Sequence, residues 1–138
     1  MNTTVTIEAT IAASIKKVWK CWTEPEHITK WNFASDDRCA PHAVNDLRAG
    51  GAFSFRMEAK DGSFGFDFGG VYDEVILHQR IAYTIGDGRK VSIDFSQQGN
   101  SWLVVETFEA ESMNPVEMQQ AGWQAILNNF KKHVEATH

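Results

Sequence analysis

The side chains able to do chemistry in this sequence are scattered and form no single motif. Asp36, Asp37, Cys39, His42 and Asp46 fall in one short stretch and offer oxygen, sulfur and nitrogen donors, but their spacing does not reproduce a closed zinc pattern. The stretch reads as a hydrated loop, and no metal is assigned. His27 lies in a short-helix region, facing solvent or closing the helix; His78 lies near a strand turn, and His133 and His138 near the C-terminal end. None has a local partner that would make it catalytic. Cys21 and Cys39 have neither a CxxC spacing nor an adjacent histidine to stabilise a thiolate. Cys21 is expected to fill space on a helix, with both thiols reduced. The GDG and GG pairs are turn signals, too short for a phosphate-cradling loop. No cofactor is expected.

Glu106 is the sharper candidate. It interrupts a run in which Trp102, Val104 and Phe108 share its alternation, so a carboxyl would stand among apolar neighbours if that face turns inward. There it would orient a ligand or act as a general base, its pKa raised by burial. If Leu103, Val105 and Thr107 face inward instead, Glu106 meets water. Alternation alone leaves both open. Tyr72 is the second candidate for acid–base work.

The elements that must position these groups follow from periodicity. Val5, Ile7, Ala9 and Ile11 alternate with Thr6, Glu8 and Thr10 as a first strand. Ser14 can cap a helix whose Ile15, Val18, Trp19 and Trp22 share a face, and Pro25 suits the first turn of a second short helix ending near Trp31. From Asn32 to Leu47 periodicity is lost, and an irregular connection is expected. Phe53, Phe55 and Met57, then Phe64, Phe66 and Phe68 beyond an Asp61–Gly62 turn, make a hairpin with an aromatic face. Tyr72 and Val75 continue or bend its second strand. Further strands run from Arg80 to Ile85, through Val91, Ile93 and Phe95, and from Trp102 to Phe108. Such close turns favour an antiparallel meander over helical crossovers.

The last element is expected to be a helix of roughly twenty residues beginning near Pro115, longer than the average globular helix. Asn114 is its expected cap, with Glu117 reaching back, and Gln119, Trp123, Ile126 or Leu127, Phe130 and Val134 form its stripe. Gly122 within it is expected to allow tight packing beneath the sheet.

Composition bounds the function. The 138 residues suit one domain over 1–138, and 43% hydrophobic with 12% aromatic content supports a substantial core. Thirteen basic and 18 acidic residues give a net charge of -5, which argues against a broad electrostatic grip on nucleic acid or anionic lipid. No apolar run approaches the roughly twenty residues of a membrane helix, and the start MNTTVTIEAT lacks a basic leader and an apolar segment. Cytoplasmic residence is the expectation.

Particular residues add a resemblance. IAASIKKVWKCWTEPEHITKW carries Val18, Trp19, Thr23, Glu24, Pro25, Glu26 and Trp31; NDLRAGGAFSFRM carries Arg48, Gly50, Gly51, Phe53 and Phe55. DFGGVYDEV follows, and AGWQAILNNF carries Gly122, Trp123, Leu127 and Phe130. In this order they resemble the START-like (SRPBCC) superfamily, in the branch related to the heat-shock chaperone's ATPase activator, from about Val5 to Val134. The resemblance implies an α+β helix-grip fold, a curved antiparallel sheet around a long C-terminal helix, with an apolar cavity between them. Its implied lining is Trp31, Phe53, Phe55, Phe66, Phe68, Tyr72, Phe108, Trp123 and Leu127, with Glu106 as the polar handle.

The implied function is binding of a small, largely apolar molecule. A cofactor-independent cyclase, dehydratase or hydrolase, and a chaperone- or protein-interaction domain, are the alternatives that the same superfamily implies. The sequence is read as the one START-like domain without the fuller activator's separate N-terminal chaperone-binding domain, so the resemblance by itself carries no expectation of ATPase activation, while a divergent partner-binding role stays open. A homodimer through an exposed sheet edge is also compatible with the pattern.

Overall fold

Period-two alternation is converted into a seven-stranded antiparallel sheet, and the 3.6-residue stripes into three helices that cover one of its faces. The computed structural model describes residues 3–137; His138 lies outside them. In chain order the elements are β1 (Thr4–Ile11), α1 (Ile15–Thr23), α2 (Pro25–Ile28), β2 (Arg38–Asn45), β3 (Ala52–Ala59), β4 (Gly65–Ile76), β5 (Arg80–Ile85), β6 (Lys90–Gln98), β7 (Ser101–Glu109) and α3 (Val116–Ala136). The sheet order is β1-β7-β6-β5-β4-β3-β2. Strands β2 to β7 form a meander, and β1 closes on β7 from the far end of the chain. This is a helix-grip fold, with the curved sheet wrapped around α3.

Two local irregularities shape the curve. On β4, a Cβ at Gly70 would run into the Thr84 carbonyl, so only glycine lets β5 approach so closely there. Immediately after it, the β4–β5 register shifts between Tyr72 and Glu74, a bulge that bends the strand.

The expected irregular connection from Asn32 to Leu47 is corrected by the fold, because β2 occupies Arg38–Asn45. The segment has no clean alternation because β2 is an edge strand, paired only with β3. Its register breaks between Cys39 and His42, which spans Pro41, a residue with no N–H to give to a ladder. The break interrupts the strand's pairing midway.

The helix start is corrected too. Asn114 does not cap α3: Pro115 holds the N-cap position and no side chain caps the helix. The Asn114 amide donates to the Glu111 carboxylate at 2.7 Å, and its carbonyl accepts from Gln119 Nε2 at 2.8 Å. Gln119 also donates to the Glu111 carbonyl and accepts from the Glu111 amide. A buried glutamine from inside the first turns thus ties down the β7–α3 connection, replacing a side-chain cap.

The two halves of α3 have different surroundings. Its C-terminal half is packed, with Leu127, Phe130 and Val134 buried and Phe130 edge-on to Trp22 and Trp31, at 4.8 and 4.9 Å between ring centroids. Asn129 Nδ2 donates to the Phe33 carbonyl, and Glu135 accepts from the Ala12 amide. The N-terminal half carries Met118, Gly122 and Trp123 toward an open space under the sheet. Gly122 was expected to allow tight packing, yet a Cβ built there meets no heavy atom within 4 Å.

Candidate functional site

The open space is a cavity of about 430 Å³ between the inner face of β3–β7 and the N-terminal half of α3. Parity decides which residues reach it. On β3, Phe53, Phe55 and Met57 point inward, and on β4 Phe66, Phe68 and Tyr72 do so, with Phe55 opposite Phe68 and Met57 opposite Phe66. On β5 the inward set is Ile81 and Tyr83, on β6 Ile93, and on β7 Glu106. Trp22, Trp31 and Asn32 close it from α1 and the segment after α2, and Trp123, Ile126 and Leu127 from α3. The lining residues that are themselves exposed, Ala34, Phe66, Asn114 and Met118, mark its opening to solvent.

Of the residues expected to line a cavity, Trp31, Phe53, Phe55, Phe66, Phe68, Tyr72, Glu106, Trp123 and Leu127 are brought to it. Phe108 is not. It is fully buried behind Trp123, whose indole lies flat over the ring. Trp22, Tyr83 and Arg89 also line the cavity, outside the set expected from the sequence. Tyr83 was open to discovery by the Ile81–Tyr83–Ile85 alternation, whereas Arg89 follows a turn and carries no periodic signal.

Glu106 faces inward. Its neighbours across the ladder are Ile7 on β1 and Ile93 on β6, and it is only 6% exposed. Burial pushes its carboxyl up to about 8, so at neutral pH it is chiefly the uncharged acid. Burial also raises the Tyr83 phenol, and the Glu106 carboxyl adds to that rise. No hydrogen bond joins either the Glu106 carboxyl or the Tyr83 hydroxyl to another group among the described residues. Both groups line the cavity.

Asn32, buried at the cavity wall, likewise makes no side-chain hydrogen bond among the described residues, whereas Tyr72, Gln119 and Arg89 are already engaged. The Tyr72 hydroxyl donates to Asn45 Oδ1 at 2.5 Å, and Asn45 Nδ2 donates to the Thr23 carbonyl at 2.7 Å. Burial raises the Tyr72 phenol, and the Asn45 contact opposes that shift. Gln119 is saturated by the β7–α3 connection, and Arg89 pairs with Asp87 at 2.8 Å. Among the described polar residues lining the cavity, Glu106, Tyr83 and Asn32 therefore keep unused hydrogen-bonding capacity, the first two on the inner face of the sheet and Asn32 in the segment after α2.

The stretch of oxygen, sulfur and nitrogen donors that reads as a hydrated loop is spread along the approach to β2 and the strand itself. Asp36 and Asp37 lie before β2 and are exposed, with Asp37 accepting from Ser35; Cys39 and His42 lie on either side of the β2 irregularity. His27 neither faces solvent freely nor closes its helix, since its Nδ1 lies 2.9 Å from Nε2 of His133.

Comparison with known proteins agrees with this architecture. A family model described as Activator of Hsp90 ATPase homolog 1-like protein matches residues 12–135. A solution structure of an AHSA1-like protein from Aeromonas hydrophila is 43% identical, with a TM-score of 0.92 over 97% of this chain and 93% of that one. A Cytophaga hutchinsonii protein is 55% identical, with a TM-score of 0.82 over 96% and 95% of the two chains. A Chromobacterium violaceum protein at 22% identity and a TM-score of 0.87, over 98% and 99%, shares the fold. No curated protein matches the chain. No helix among the described residues is long and apolar enough to cross a membrane.

Proposed function

This chain belongs to the Activator of Hsp90 ATPase homolog 1-like family, and on that premise we propose that its cavity binds a compact, largely apolar molecule bearing a carbonyl or hydroxyl group. The observation that carries the reading is the pair of unengaged polar groups, Glu106 and Tyr83, on a sheet face that is otherwise chiefly aromatic and aliphatic. A buried polar group without a partner costs about 1–3 kcal/mol. A ligand oxygen placed between them removes that cost, because a protonated carboxyl and a phenol can both donate.

The cavity volume of about 430 Å³ falls within the range of small-molecule sites, roughly 300–1,000 Å³. Removal of apolar ligand surface from water supplies the attraction, at roughly 25 cal/mol per Å² before the costs of association. The rings of Phe53, Phe55, Phe68 and Trp123 give that surface flat partners.

The test is native mass spectrometry of freshly purified protein, followed by extraction and identification of any retained compound. Titration with a panel of hydrophobic carbonyl compounds and fatty alcohols is then read by the fluorescence of Trp22, Trp31 and Trp123, which line the site. Saturable binding lost in Gly122→Leu, which fills the cavity from α3, supports the reading. A protein that retains nothing and responds to none of the panel overturns it.

One observation favours a second reading. A carboxyl held at about 8 titrates near neutral pH, the range in which a general acid or base works best. Cofactor-independent cyclisation, dehydration or hydrolysis of the bound carbonyl compound would use Glu106 in that role. Conversion of a bound compound that stops in Glu106→Gln, while binding persists, distinguishes catalysis from storage.

A further inference from the structure

Away from the cavity, three elements bring together three metal-ligating side chains that lie far apart in the sequence. Cys21 comes from the last turns of α1, His27 from α2 and His133 from the last turn of α3. The Cys21 Sγ and one imidazole nitrogen from each histidine all lie within 4.8 Å of one another. Nδ1 of His27 and Nε2 of His133 are the closest pair, at 2.9 Å. We propose that Cys21, His27 and His133 form a binding site for a divalent cation of the zinc class, with water in the fourth position.

Three features support the assignment. The donor set of one thiolate and two imidazoles suits a borderline-soft ion, whereas hard cations take oxygen ligands. The Cys21 thiol is 1% exposed and makes no hydrogen bond among the described residues, yet it stands beside both imidazoles. Tetrahedral metal–nitrogen bonds of about 2.0–2.1 Å and a metal–sulfur bond near 2.3 Å need ligand separations of roughly 3.3–3.7 Å. Opening the histidine pair by a few tenths of an ångström and drawing the sulfur inward reaches that geometry through side-chain rotation.

Nucleophilic chemistry fits the cluster less well. Cys21 does not line the cavity beneath α3, and burial raises its thiol despite the opposing Lys17 and Lys20. A bound cation would instead displace the thiol proton to solvent. It would also fasten α1 and α2 to the end of α3, the half of the helix that is already packed.

The experiment uses untagged, chelator-treated protein carrying Cys39→Ser, so that Cys21 is the one remaining thiol. Cobalt(II) is titrated in, and the absorbance of the thiolate-to-cobalt charge-transfer band and of the visible four-coordinate bands is followed. Saturation at one ion per chain, displacement by zinc and a zinc-dependent rise in Tm are expected. The charge-transfer band should vanish in Cys21→Ala, and both the visible bands and the Tm rise should be lost in His133→Gln. If His133→Gln fails to fold, His27→Gln at its half-buried position gives the same readout. No cobalt spectrum and no zinc effect on Tm, or spectra that persist unchanged in the histidine variants, would overturn the site.

Discussion

The indole of Trp123 lies flat on the ring of Phe108, with centroids 4.0 Å apart and planes inclined by 10°. This stack joins α3 to β7 at the point where the packed core gives way to the cavity. Phe108 is fully buried, while Phe66 at the mouth is 48% exposed. The two phenylalanines should therefore respond differently to truncation. Phe108→Ala is expected to cost about 3–5 kcal/mol, whereas Phe66→Ala should leave stability within about 0.5 kcal/mol and weaken ligand binding. Urea denaturation of both variants, alongside the fluorescence titration, checks the contrast.

Glu106 gives the fold a pH dependence of definite sign. Its carboxyl rises from an ordinary 4.5 to about 8 on burial, so between those values the folded state holds a proton that the unfolded state has released. The stabilising effect of that proton is complete below about pH 4.5 and is lost as pH rises through about 8, at a slope of up to about 1.4 kcal/mol per pH unit. Glu106→Gln, neutral at every pH, should match the parent near pH 5 and exceed it at pH 9. Urea midpoints across this range decide the matter, and identical pH profiles for the two proteins would contradict it.

Gly122 is a position where stability and binding separate. Because an added Cβ has open space, Gly122→Ala should stabilise the helix by up to about 1 kcal/mol and leave affinity nearly unchanged. Gly122→Leu should fold as well and exclude ligand, which thermal unfolding and the fluorescence titration measure together.

The Tyr72–Asn45–Thr23 chain fastens β4 to edge strand β2 and to the end of α1. Asn45→Ala removes the acceptor of a buried phenol and is expected to cost about 1–3 kcal/mol. Tyr72→Phe combined with Asn45→Ala should cost less than the sum of the single changes, since they share one interaction. A double-mutant cycle in urea provides that number.

Much of this architecture was legible because period-two and 3.6-residue patterns are local. The Phe53–Phe55 and Phe66–Phe68 alternations marked β3 and β4, and the Trp123-to-Val134 stripe marked α3. Strand β2 was hidden because Pro41 and the adjacent register break erase its alternation at an edge that needs only one partner. The Asn114 cap failed for a related reason, since Gln119 satisfies the connection from inside the helix.

By itself the sequence determined the order of elements, the aromatic hairpin and the family, all of which reside in spacing between near neighbours. Which face of β7 turns inward could not be read there, because Glu106, Val104 and Phe108 share one parity while Leu103, Val105 and Thr107 share the other. Only the curvature of the sheet around α3 buried the first set. The same holds for Cys21, His27 and His133: they meet because α3 returns across α1 and α2 at the end of the chain, a proximity that exists only once long-range packing has brought the two ends of the fold together.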